Sequence, residues 1–363
     1  MRLLFTCLFI TLLRVAQGQQ DSPVFFSISP KEGFLIAHRP NMSHLVRENA
    51  HGFELAAWKQ LTHADPYTQR LRNPLCGASV EFRNFGYNEV LGRAFSMTTY
   101  MVFPLLQTKN NAFLDLTLGT GVGYLTRCYD VVENPLNNAI GSKLNGRVNI
   151  KLTWLKYREN MHWGAGIEFM HFSNGSITTP NLGLNSPSVF LQMGYNTRMR
   201  ERAVEKHTIE KLDAAEKHNL AIELIGSVKE IGAIPYFPKR YPVIASRLSY
   251  TYSKCGLWGA EIALDVIHNE ANFHKYNDTS FVRKDILQVG IYGGAYVQFY
   301  KCQVAFGLGW YARDRINAEG RLYNRIGYRY YFKDKWFALF NIKANYAKAD
   351  YFEFGIGYKF LTR

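Results

Sequence analysis

The sequence predicts an all-β protein, a transmembrane antiparallel β-barrel of about fourteen strands within a range of about twelve to sixteen. Three observations carry that expectation. Long segments alternate strictly between apolar and polar residues, which gives an extended chain one apolar face. Those segments have the length of a tilted membrane strand rather than of a soluble one. Their connections alternate between tight turns (Lys254-Cys255, Tyr300-Lys301, Lys333-Asp334) and long polar loops at 268–284 and 313–320. Barrels with short periplasmic turns and longer extracellular loops show the same rhythm.

Composition removes the competing classes. The chain has 363 residues, of which 15% are aromatic and 20% charged. A disordered chain has few aromatics and dense charge, so disorder is excluded. Beyond residue 18 no apolar run is long enough for a membrane-spanning helix. The net charge of +14 points to anionic partners, and no nucleic-acid motif accompanies it.

The elements follow in order. Met1-Arg2 precedes an apolar stretch, Leu3 to Leu13, and then Val15-Ala16-Gln17-Gly18. A basic start, a short apolar run and a small-residue site read as a secretory signal over 1–18. Removing Arg2 and Arg14 with it leaves a strongly basic mature chain. Residues 19–75 form an N-terminal segment with two weaker strand candidates, at 33–39 and 51–62. Residues 76–363 are assigned to an outer-membrane barrel, with strands at 76–84, 92–105, 112–125, 145–157, 162–173, 186–196, 218–229, 241–253, 256–267, 285–299, 302–313, 321–332, 335–346 and 350–360.

In the last of these, Phe352, Phe354, Ile356, Tyr358 and Phe360 share one face. Trp336, Tyr346, Trp310 and Tyr330 fall near segment ends, as an interfacial girdle requires. The stretch 197–217 carries dense charge of both signs and reads as a periplasmic linker with helical potential. Arg321, Arg325 and Arg329 share the inward parity and are expected to line the lumen.

Several motifs carry no chemistry. Gly119-Thr120-Gly121-Val122-Gly123 lacks the Lys-Ser/Thr of a phosphate loop and reads as glycines on a strand face. Cys76, Cys128, Cys255 and Cys302 show no metal-ligand spacing, so neither a metal nor another cofactor is expected. Export is compatible with one or two disulfides, although isolated cysteines on strands more often act as small apolar fillers.

One segment breaks the barrel logic. In 162–173 the lipid-facing parity of Trp163, Ala165, Ile167 and Phe169 continues to His171 and Ser173. Residues two apart project from the same face of a strand. A histidine beside a serine is the minimal base and nucleophile pair of an esterase. Read from the residues alone, the pair is equally two polar side chains standing just above the bilayer.

The run His171-Phe172-Ser173-Asn174-Gly175-Ser176-Ile177-Thr178-Thr179-Pro180-Asn181-Leu182-Gly183 resembles the active-site signature of the lipid A 3-O-deacylase (PagL) family. The family pattern is His-x-Ser-Asn, a short gap, then Pro-Asn-x-Gly. The family barrel is eight-stranded and shorter, so this chain is read as an enlarged relative. The resemblance implies a bacterial outer-membrane esterase that removes an acyl chain from lipid A of lipopolysaccharide. Ser173 is then the nucleophile, His171 its general base, and Asn181 with backbone N–H groups near Gly175 the oxyanion donors. The family's acidic third member falls at position 185, which is Asn185 here. It shares the parity of Pro187, Val189, Leu191, Met193 and Tyr195 and is expected beside His171. The alternatives are a non-catalytic barrel (a porin or structural protein) with a degenerate motif, and a barrel phospholipase. The oligomeric state is open.

Overall fold

The computed structural model describes residues 22–61, 66–200, 217–231, 239–253, 255–275, 282–317, 320–345 and 348–363. The signal segment 1–18 and most of the linker 197–217 lie outside them.

Among the described residues, sixteen antiparallel strands form two closed barrels of eight, each closing its own first strand onto its last. The first consists of β1 (Val24–Gly33), β2 (Ala50–Gln60), β3 (Leu75–Asn84), β4 (Arg93–Gln107), β5 (Ala112–Leu125), β6 (Leu144–Arg158), β7 (Met161–Ser173) and β8 (Leu184–Asn196). The second consists of β9 (His218–Ile231), β10 (Lys239–Ser253), β11 (Trp258–Asn269), β12 (Leu287–Phe299), β13 (Cys302–Arg313), β14 (Leu322–Tyr331), β15 (Trp336–Asn345) and β16 (Lys348–Thr362). The chain divides into two compact units, and residues 174–182 group with the second. Among the described residues no helix is long and apolar enough to cross a membrane.

The expected single barrel over 76–363 is therefore corrected to two. Alternation shows which residues form strands, but it does not show which distant strands pair. The missing member was β1, where Pro30 and Lys31 interrupt the pattern and the candidate at 33–39 lies one strand-length too late. Pro30 faces outward, and its neighbour Lys31 is buried inside.

Both exteriors are apolar. Leu55, Met97, Ile150, Ile167 and Leu191 project outward from the first barrel, and Leu224, Ile262, Ile291, Phe306 and Phe354 from the second. The inward parity is polar, which is the arrangement of a membrane barrel. Eight strands enclose only enough room for packed side chains. Gly119 and Gly123 lie on that inward face: a Cβ at Gly119 would strike Tyr100 and Asn149, and one at Gly123 would strike Phe172. The four described cysteines are free.

The interior of the first barrel is an ion-pair network. The Lys31 Nζ lies 2.9, 2.6 and 2.7 Å from carboxylates of Glu54, Glu81 and Glu168. Arg147 and Arg83 also bond Glu81 and Glu168, and Lys151 bonds Glu54 at 2.5 Å. The three glutamates converge closely enough to suggest a cation site, yet the Lys31 ammonium already stands among them. Beyond β8 the chain returns Arg200 to this barrel, where it grips Asp115 through both carboxylate oxygens at 2.5 and 2.9 Å.

In the second barrel Arg325 bonds Asp265 and Glu353, and Arg329 bonds Glu223 and Glu261. Arg321 was expected beside them. It is instead exposed, because it precedes β14 and is not held in the pleat.

Removing one member of a buried ion network leaves the others uncompensated, at a cost of about 3–5 kcal/mol. Lys31→Met is expected to lose about that much stability. The check is the urea midpoint for loss of heat-modifiable gel mobility in lipid vesicles. An unchanged midpoint would show that the three glutamates do not depend on Lys31.

Candidate active site

The site is built at one end of the β7–β8 pair. Phe172 points inward, buried edge-to-face against Phe85 at 5.9 Å, with the Arg147 guanidinium 5.8 Å from its ring. That anchor fixes the rotation of the strand end, so His171 and Ser173 on either side take the outward parity. His171 lies opposite Asn185 on β8 and opposite Val148 on β6, while Ser173 lies opposite Gly146. Ser173 is buried and His171 half-buried.

Across the pair, the His171 Nδ1 is 2.6 Å from the Asn185 Oδ1. An amide oxygen only accepts, so the His171 Nδ1 carries the proton and donates. The Nε2 is then the lone-pair nitrogen. The other half of the Asn185 amide, Nδ2, donates to the His38 Nδ1 at 3.0 Å. His38 stands in the irregular segment after β1, which runs along β8: Phe34 N–H donates to Pro187 O and Ile36 N–H to Asn185 O.

Gly183 closes the site from the β8 side. Its φ is +83°, and a Cβ there would come within 2.7 Å of the His171 Cε1. Only glycine combines this backbone with such an approach to the ring. Its N–H donates to Ala139 O in the β5–β6 loop.

The loop 174–182 is tied by its own side chains. The Asn174 N–H donates to the Asn181 Oδ1 at 3.0 Å, and the Asn174 Nδ2 donates to Thr178 O at 2.9 Å. Gly175 and Ser176 both have positive φ and make the turn. The Asn181 side-chain oxygen thus holds the loop, a structural bond that the sequence did not reveal.

His171 and Asn185 are therefore in direct contact, with Ser173 two positions along the same strand face. His38 was not anticipated, because it lies outside the motif in a segment without regular pattern. The only signal was a candidate strand at 33–39.

Two family models match the chain. One, described as lipid A 3-O-deacylase (PagL), matches residues 53–194. The other, described as acyloxyacyl hydrolase, C-terminal domain, matches residues 218–362. Residues 53–194, which span most of the first barrel, belong to the lipid A 3-O-deacylase family. A second barrel follows this one in the sequence. No curated protein matches the sequence significantly.

Among solved structures, the outer-membrane enzyme PagL is 14% identical at a TM-score of 0.32, covering 46% of this chain and 97% of that one. A triple-mutant porin of Rhodopseudomonas blastica is 8% identical at a TM-score of 0.17, covering 94% and 99%. The siderophore receptor PirA from Pseudomonas aeruginosa is 9% identical at 0.26, covering 90% and 56%.

The tight fit of Gly183 against the imidazole is open to test. Gly183→Ala is expected to push the ring off Asn185 without unfolding the barrel. The measurement is the His171 Nδ1–H resonance, which should lose its hydrogen-bonded shift while gel mobility stays heat-modifiable. A resonance unaltered by the substitution would contradict the packing.

Proposed function

We propose that the first barrel hydrolyses an ester-linked acyl chain of lipid A by a Ser-His mechanism at its lipid-facing surface. The observation that carries this reading is the 2.6 Å contact of the His171 Nδ1 with the Asn185 Oδ1 on the outward face, two residues from Ser173. That contact supports the tautomer a general base needs, with a lone pair on Nε2.

In the proposed reaction the Ser173 Oγ attacks the ester carbonyl while the His171 Nε2 takes its proton. The tetrahedral oxyanion collapses, and His171 returns the proton to the departing alcohol oxygen of the ester. The acyl-serine is then hydrolysed by water, with His171 again as base, releasing a free fatty acid. Asn181 and the N–H groups near Gly175 are assigned as oxyanion donors on the motif alone.

The siting is chemically apt. An outward-facing site meets an acyl chain where it already lies, without lifting it from the membrane. The basic chain suits a phosphorylated lipid. Asn185 in place of a carboxylate orients the imidazole but stabilises the imidazolium less. A pore reading is disfavoured by the buried ion pairs in both barrel interiors.

Fatty-acid release from purified lipopolysaccharide, against release from phospholipid, tests the substrate class. Ser173→Ala and His171→Ala are each expected to lower turnover by about three or more powers of ten while the barrel still assembles. Undiminished deacylation by Ser173→Ala would eliminate the mechanism. Asn185→Glu is expected to keep or raise activity, since a carboxylate adds a charge-assisted bond. Asn185→Leu should lower activity strongly with normal barrel yield. Turnover by Asn185→Leu equal to that of the unaltered protein would remove Asn185 from the orienting role.

A further inference from the structure

We propose that His38 is a positioning residue that sets which way the Asn185 amide points, and thereby which tautomer of His171 faces Ser173. The inference rests on the Ser-His reading above and goes beyond it, since no motif includes position 38.

The argument begins with the chemistry of an amide. A carboxylate in the third position of a triad presents acceptors on both oxygens, so its rotation does not matter. An asparagine presents one acceptor and one donor. With the Oδ1 toward His171, the ring is protonated on Nδ1 and keeps its Nε2 lone pair for the serine proton. With the Nδ2 toward His171, Nδ1 becomes the acceptor and the proton moves to Nε2, where it blocks the base. Amide substitution of a triad carboxylate fails through this wrong tautomer. An asparagine therefore works in this position only where a second group fixes its orientation.

His38 meets that requirement. The His38 Nδ1 is 3.0 Å from the Asn185 Nδ2, on the opposite side of the amide from His171. Used as an acceptor, that nitrogen holds the amide N–H₂ away from the catalytic ring and leaves the Oδ1 aimed at the His171 Nδ1, 2.6 Å away. The backbone delivers His38 to this place. Ile36 N–H donates to the carbonyl of Asn185 itself at 2.9 Å, and His38 N–H donates to Ile36 O at 3.1 Å. Leu35, in the same segment, is buried. One residue of β8 is thus held through its main chain by Ile36 and through its side chain by His38.

The test exploits the difference between an amide and a carboxylate. His38→Ala should lower kcat about tenfold, the scale of one orienting hydrogen bond, with KM unchanged. His38→Gln, whose Oε1 still accepts, should restore most of the rate. His38→Lys, which has only donors, should not. In an Asn185→Asp background, where both side-chain oxygens accept, His38→Ala should have no further effect. Independently of turnover, ¹⁵N shifts of the His171 ring in Ser173→Ala protein should show protonated Nδ1 with His38 present and a shift toward protonated Nε2 in His38→Ala. The ring measurement separates the two claims: loss of the deacylase reading would leave the tautomer shift standing. Unchanged kcat and ring shifts in His38→Ala would overturn the proposal, as would an equal loss in the Asn185→Asp background.

Discussion

In hydrocarbon no backbone N–H or C=O can be left unpaired, so a strand has to find partners on both edges. Everything else in this molecule depends on that requirement. Each barrel meets it by closing at eight strands, β1 onto β8 and β9 onto β16. Closure fixes parity, because with period-two alternation one set of side chains must face lipid and the other the interior. It also fixes volume. An eight-stranded barrel has room for side chains and little else, so the polar inward residues are buried and have to neutralise one another. The ion networks around Lys31 and Arg329 are the consequence. The outward placement of His171 follows from the same parity that places Phe172 inside.

The strands were legible because alternation is local. The strands Ala112–Leu125 and Cys302–Arg313 match their sequence boundaries to the residue. The closure was not legible, since pairing of Val24–Gly33 with Leu184–Asn196 joins segments far apart in the chain. The strand Val24–Gly33 itself was hidden by Pro30, which disfavours a strand, and by Lys31, whose burial makes sense only once three glutamates from other strands surround it.

The candidate site divides along the same line. That Asn185 would sit beside His171 followed from parity and hairpin register. The loop-holding bond of Asn181 and the approach of His38 did not, because both depend on irregular backbone whose course no periodicity encodes. A neutral amide beside the histidine also has a physical logic: an ionised carboxylate on a lipid-facing surface would carry a desolvation cost that an amide avoids. On the proposed reading, such a site gives up imidazolium stabilisation and depends instead on correct amide orientation.

The ammonium of Lys31 ties the two ends of the strand order together. It comes from the first strand of its barrel and neutralises acids on the second, third and seventh. In a sheet still open along the edge between the first and last strands, Glu168 on the seventh strand lies nearly the full width of the ribbon from Lys31. Until that seam docks, Glu168 keeps Arg147 on the adjacent strand as a partner but lacks Lys31. Docking of the last seam is thus the step that brings all three glutamates onto one ammonium, so the closure of the barrel is written into a single side chain of its first strand.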